Sequence, residues 1–209
     1  MKYIIFDFNG TILDDVDVGV KCINELVLKY LNRPCISKEE YLDIFDFPVI
    51  DYYRKAGFDF KDVSFEVIGK EWMDLYNSHK DEYHLMDGVK DILKSNIEKG
   101  YKNIILSASK LENLQKQCEE LGIEEYFDEI LGIDNIYATS KEYIALEWIK
   151  DKNPDECIFI GDTLHDMDVA NVMGIKSYLV AKGHQSRKKL LDKCERVYDS
   201  IEEVIHELG

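Results

Sequence analysis

Residues 2–8, Lys-Tyr-Ile-Ile-Phe-Asp-Phe, form a short, nearly unbroken apolar run. This is the feature that most constrains the fold. A strand with apolar residues at successive positions has no polar face to offer water, so it must be covered on both sides, as in a parallel sheet flanked by helices. Residues 103–107, 157–161 and 176–180 repeat the pattern. Amphipathic helical patterns cover 87–99, 111–121, 140–150 and 166–173, and Gly100, Gly122 and Gly174 close three of them. Strands alternating with helices predict an α/β fold: a three-layer, Rossmann-like core around a parallel sheet.

The stretch from Asp15 to Tyr83 has no such strand. It reads as amphipathic helices over 16–31, 38–45, 49–56 and 63–76, punctuated by Pro34, Pro48 and Gly57. The expected division is a core of residues 1–14 and 85–209 with an inserted helical cap, 15–84. An insertion that leaves the sheet just after a strand emerges over the ligand crevice of a doubly wound fold, which is where a lid belongs.

Composition narrows the function. Lys and Arg number 26 against 42 Asp and Glu, a formal net charge of −16. Such a chain repels nucleic-acid phosphates and anionic membranes, so neither is an expected partner. The five cysteines, at 22, 35, 118, 157 and 194, form no CxxC pair, and free thiols fit a reducing compartment. The apolar stretch before Asp7 leaves no room for a signal peptide, and no apolar run approaches the roughly 20 residues that span a bilayer. The expectation is a soluble cytoplasmic protein, monomer or homodimer.

Four places carry chemistry. Asp7-Phe8-Asn9-Gly10-Thr11 puts a carboxylate and a tight turn at the end of a buried strand, where the acid can bind a cation or act as a nucleophile. Gly161-Asp162-Thr163-Leu164-His165-Asp166 follows another buried strand. Its two acids, four residues apart, are neighbours as a helix begins; with Asp7 they make a hard oxygen set suited to Mg²⁺, while Asp162 or Thr163 could alternatively cap the helix. Ser107, followed by Ala108 and Ser109, offers a hydroxyl and amides before a helix, an anion cradle. Lys141 stands near a helix N-terminus, where the dipole disfavours a cation, and makes sense there if it faces a carboxylate and a phosphate.

Taken in chain order, acid, hydroxyl, lysine and acid pair, this set resembles the haloacid dehalogenase superfamily of Mg²⁺-dependent phosphatases. The resemblance spans nearly the whole chain. Leu85-Met86-Asp87-Gly88-Val89 resembles the family's re-entry into the core, and Gly122-Ile123 through Tyr126-Phe127-Asp128 the stretch after its second motif. The helical insertion matches the phosphoglycolate-phosphatase-like branch. Within it, Phe47-Pro48 through Tyr52-Tyr53-Arg54 and Gly57 resembles a substrate-facing cap loop.

The resemblance implies hydrolysis of a small phosphorylated metabolite, such as phosphoglycolate or a sugar phosphate, through an aspartyl-phosphate on Asp7. It implies Mg²⁺ held by the Asp7 carboxylate, the Asn9 backbone carbonyl and Asp162, with Asp166 acting mainly through water. Ser107, Ala108 and the amides of Asn9 and Gly10 would hold phosphate oxygens, Lys141 would offset the charge of Asp7 and phosphate, and Arg54 would meet a second anionic group. One position departs from the family pattern. Asn9 stands where these phosphatases carry a general acid/base aspartate, and its amide exchanges no proton near neutral pH. Three explanations stay open: an enzyme that uses substrates with good leaving groups or lets another group such as His165 take over, a sensor that binds a phosphorylated ligand without efficient turnover, or an Asn introduced by engineering to trap a complex. His79, His84, His184 and His206 show no ligand spacing and receive no role.

A phosphonatase would need a cap lysine, for which Lys21 is a weak candidate, and a dehalogenase would not need the acid pair. A phosphomutase would also normally need the missing aspartate. A response-regulator receiver places its acid pair after the first strand, the reverse of the order here.

Overall fold

The computed structural model describes residues 2–133 and 140–208. Strand β1 (Tyr3–Phe6) leads through a turn to β2 (Leu13–Asp14). Helices α1 (Val16–Leu26, extended by a wider turn over Val27–Leu31), α2 (Lys38–Ile44), α3 (Val49–Lys55) and α4 (Phe65–Ser78) follow. The chain returns through β3 (His84–Leu85), α5 (Val89–Glu98), β4 (Lys102–Lys110), α6 (Leu111–Glu120) and β5 (Glu129–Ile133). It closes with α7 (Lys141–Ile149), β6 (Cys157–Gly161), α8 (Leu164–Met173), β7 (Lys176–Val180), α9 (Arg187–Leu191), β8 (Val197–Tyr198) and α10 (Ile201–Leu208).

The main sheet has the order β5-β4-β1-β6-β7-β8, and every pairing in it is parallel. β1 lies inside it, with Phe6 level with Ile105 on one side and Ile160 on the other. All four β1 residues are buried, as the apolar run requires. Side chains of a strand alternate between faces, and they sort accordingly. Ile4 and Phe6 join Ile105, Ile158 and Ile160 in one core, which α5, α6 and α10 cover with Leu93, Leu114 and Val204. Tyr3 and Ile5 join Ile104, Leu106 and Phe159 in a second core, covered from α7 and α8 by Ala145, Val169 and Met173.

The inserted helices build a core of their own from Val16, Ile23, Tyr41, Tyr52, Tyr53 and Ile68. Where the chain leaves and re-enters, β2 and β3 form a short antiparallel ladder, Leu13 opposite Leu85 and Asp14 opposite His84. Tyr52 and Tyr53, expected to face substrate, are buried in this aromatic-rich core, because the apolar ring outweighs the hydroxyl in setting the direction of the side chain. β4 runs to Lys110 rather than ending at Ser107, with an irregular register between Leu106 and Lys110. No helix among the described residues is long and apolar enough to cross a membrane.

Ile5 is fully buried in the second core. Ile5→Ala is expected to cost about 2–5 kcal/mol, read as a lower urea midpoint at unchanged m-value.

Candidate active site

In a parallel sheet all strand C-termini face one edge, and loops there converge on a crevice. β1 delivers Asp7, β4 delivers Ser107, β6 delivers Asp162, and the helix after β5 delivers Lys141. The turn after β1 is tight. The Phe8 carbonyl accepts from the amides of Thr11, Ile12 and Leu13, and Gly10 takes φ +74°. A Cβ on Gly10 would run into the Asp162 carboxylate and the His184 ring, so glycine is required twice over.

The expected residues meet. Oxygens of Asp7, Asp162 and Asp166 lie within 4.8 Å of one another. The Lys141 side chain, 2% exposed, bridges Asp7 and Asp166, the latter at 2.6 Å. Its neighbour Ser140 caps α7, its side chain accepting from the Tyr143 amide. Asp7 keeps 13% of its side chain exposed, the open side of the cluster. Both acids of the pair are anchored. Asp162 accepts from Thr11 Oγ1 at 3.0 Å and from the His184 amide at 2.6 Å. Asp166 Oδ2 accepts from Thr163 Oγ1 and from the amides of Asp162 and Thr163. Thr163 and Asp166 form a capping box on α8, so capping and site-building are one arrangement.

The charges are crowded. Burial pushes the Asp7 carboxyl well above its usual range; Lys141 opposes this, and Asp166 and Asp162 reinforce it. Burial likewise raises Asp162. For Asp166 burial is outweighed by the Lys141 ammonium, which holds the carboxyl below the ordinary range. A dry, all-oxygen set with excess negative charge fits a hard divalent cation.

A second cluster lies beside the first. Asn9 Nδ2 donates to Asp15 Oδ2 at 2.8 Å and to the Tyr76 hydroxyl at 2.9 Å. Tyr76 in turn donates to Asp15 Oδ2 at 2.6 Å. Asp15 Oδ1 accepts from the Gly10 amide at 2.9 Å and lies 3.1 Å from His184 Nε2, while His184 Nδ1 lies 2.8 Å from the Tyr41 hydroxyl. Burial lowers the His184 pKa, but Asp15 and the other nearby carboxylates outweigh it and raise it to about 9. Burial opposes ionisation of Asp15 as well, and His184 prevails, leaving the carboxyl below its usual range.

His184, given no role from the sequence, and Asp15, read only as the start of the cap, are therefore part of the site. The signal for His184 was its place just past β7, since every strand end here meets the same crevice. Gly183 allows the approach: a Cβ there would strike Asp162.

Other expected residues fare differently. Ser107 is buried and its hydroxyl accepts from the Ser109 amide at 3.1 Å; Ser109 Oγ reaches Asn9 Oδ1 at 3.3 Å, and Ala108 between them is exposed. The Gly10 amide, expected to hold phosphate, is taken by Asp15 Oδ1 and the Leu13 carbonyl. Arg54, expected to meet substrate, is 58% exposed on α3 and pairs with Asp51, three residues before it on the same helix. His165 stacks on Phe47 at 4.5 Å, its Nδ1 3.4 Å from Glu142.

The model of the haloacid dehalogenase-like hydrolase family matches residues 4–180, and the chain belongs to that family. A phosphoglycolate phosphatase of Vibrio parahaemolyticus is 23% identical over 218 residues, spanning 98% of this chain and 95% of the relative. The pyrophosphatase PpaX of Listeria innocua is 21% identical over 170 residues, spanning 79% and 76%. The fold is shared with the haloacid dehalogenase-like family protein SP0104 from Streptococcus pneumoniae, with a TM-score of 0.83, 20% identity, and 100% and 99% of the two chains covered.

Asn9-Gly10 is a pair prone to deamidation, which requires the following amide nitrogen to attack the side-chain carbonyl. Here that nitrogen is bonded twice and the carboxamide is pinned by Asp15 and Tyr76. The folded protein is expected to keep Asn9 intact on storage, and Asp15→Ala to convert it. Peptide mass spectrometry of aged samples reads the amide-to-acid mass gain.

Proposed function

We propose that the chain is a Mg²⁺-dependent phosphatase that hydrolyses a small phosphorylated metabolite through an aspartyl-phosphate on Asp7. The observation that carries this is the buried Lys141 ammonium bridging Asp7 and Asp166 beside Asp162 at the open edge of the sheet. The names of the relatives, phosphoglycolate phosphatase and pyrophosphatase, support the phosphatase class.

Phosphoryl transfer asks a protein mainly for positioning and charge neutralisation. An Asp7 oxygen attacks phosphorus in line, and the bond to the leaving oxygen breaks with its electron pair. Lys141 offsets the repulsion between the carboxylate and the phosphoryl oxygens. Asp7, Asp162 and the Asn9 backbone carbonyl would hold the Mg²⁺ ion, with Asp166 acting through water, and the ion when bound supplies charge stabilisation of the phosphoryl oxygens. Ser107 Oγ and the amides beside it hold the phosphoryl group. Water then attacks the aspartyl-phosphate, frees Asp7 and releases phosphate.

In this reading residues 15–84 are the cap over a core of 1–14 and 85–209. The Ser186 amide donates to the Leu42 carbonyl at 3.2 Å, and Gln185 Nε2 donates to the Phe45 carbonyl at 3.0 Å, so the helical block is seated on the loop after β7. A seated cap excludes water and admits small substrates. Asn9 favours one other reading, a sensor that binds a phosphorylated ligand with little turnover.

Phosphate release from p-nitrophenyl phosphate, with and without Mg²⁺, tests the proposal. Wild type should be metal-dependent, and Asp7→Asn, folded by circular dichroism, should lose about 10³-fold or more. No metal-dependent release by wild type, with retained ligand binding, would leave the sensor. Metal binding is expected to depend on pH. Raised carboxyl pKa values mean that Asp7 and Asp162 carry protons which a cation must expel. Without the cation those groups lose stabilisation as pH rises through their folded pKa values. The Mg²⁺-induced rise in Tm should therefore grow from about pH 6 to about pH 8 and disappear in Asp162→Asn.

A further inference from the structure

The surroundings of Asn9 restrict which phosphate compounds this site can use. A carboxamide has two N–H donors and one acceptor oxygen. Asp15 accepts from four donors, Asn9 Nδ2, the Gly10 amide, Tyr76 and His184, so its carboxylate is an acceptor only. That fixes the amide with Nδ2 toward Asp15. The Tyr76 proton is already given to Asp15, so the Tyr76 oxygen takes the second Asn9 N–H. Both N–H groups are spent on the protein. What Asn9 leaves toward the crevice is Oδ1, which among the described residues meets Ser109 Oγ at 3.3 Å. An amide oxygen can orient a hydroxyl or a water but cannot take up or give up a proton near neutral pH.

The other proton-bearing groups described around the crevice have partners of their own. His184 has one ring nitrogen against Asp15 and the other against Tyr41. The His165 ring is stacked on Phe47 with Nδ1 toward Glu142. Lys141 is held between Asp7 and Asp166. Among the described contacts, none aims a proton at an oxygen departing beside Asn9.

We infer that the substrate is a phosphoryl donor whose leaving group departs as a stable anion, an acyl phosphate or a phosphoanhydride, and not an alkyl phosphomonoester, because Asp15 and Tyr76 lock Asn9 as an acceptor with no proton to supply. The step balances without an added acid. The Asp7 oxygen forms its bond to phosphorus, the leaving oxygen takes the electron pair of the broken P–O bond, and it leaves as a carboxylate or phosphate. In the second step water forms a bond to phosphorus, the bond to Asp7 breaks, and the proton lost by the water leaves on the inorganic phosphate. The inference rests on the phosphatase reading and narrows it.

The experiment compares acetyl phosphate, aryl phosphates of graded leaving-group acidity and glycerol phosphate as substrates, with Mg²⁺. Wild-type kcat/KM should fall with leaving-group basicity, leaving glycerol phosphate below acetyl phosphate by about 10²–10⁴-fold, the usual contribution of a positioned acid. The exchange Asn9→Asp with Asp15→Asn keeps the hydrogen bond between the two side chains and returns an exchangeable proton to position 9. It should raise the ratio of glycerol phosphate to acetyl phosphate kcat/KM by a similar factor. If the exchanged protein does not fold, the wild-type slope decides alone. Comparable wild-type kcat/KM for glycerol phosphate and acetyl phosphate overturns the inference while leaving the phosphatase standing, as does an unchanged ratio in the folded exchange variant. Absence of metal-dependent release from every compound overturns the phosphatase reading and this inference with it.

Discussion

Three carboxylates within 4.8 Å of one another, sealed against one edge of a sheet, repel unless something pays for their proximity. Lys141 is that partner in the protein itself. Its ammonium sits between Asp7 and Asp166, and Asp166 in turn caps α8 through Thr163. The ends of β1, β6 and the segment after β5 are thus joined by one cation. The compensation is incomplete, since Asp7 and Asp162 stay above the ordinary carboxyl range. That residual imbalance is the electrostatic basis for reading the pocket as a place for a divalent ion and a phosphoryl group.

The layered core was legible because it follows from periodicity. The apolar runs at 157–161 and 176–180 became β6 and β7 with those same bounds, and the helical patterns at 87–99, 111–121, 140–150 and 166–173 became α5 to α8 within a few residues. β5 and β8 were not legible. Most of β5 is only half-buried at the sheet edge, so it lacks an unbroken apolar run, and β8 is two residues long. At the site, residues that end strands were legible, and Asp7, Asp162 and Lys141 came together as expected. Tyr52 and Tyr53 pack into the core of the inserted helices, and Arg54 pairs with Asp51 on its own helix.

Asp15 and His184 were missed for a different reason. Their contact spans 169 positions of the chain, between the residue that starts α1 and the loop after β7. No local spacing encodes such a pair. Together with Tyr41 and Tyr76 they tie the inserted helices to the same buried carboxylate. The segment that touches Asp162 through the His184 amide also carries Gln185 and Ser186, which bond to Phe45 and Leu42 of the inserted helices. The acid cluster and these contacts share one loop.

The alternation of β1 between two cores has one more implication. Ile4 and Phe6 face one layer, Tyr3 and Ile5 the other, and the carboxylate comes next in the count. The strand works as a ruler read in steps of two. Insertion or deletion of a single residue between Tyr3 and Asp7 would put the strand out of step with its two layers and swing the carboxylate to the opposite side of the sheet. The spacing from Tyr3 to Asp7 is therefore fixed by parity, so replacement of these residues by others of similar shape is a gentler change than any alteration in their number.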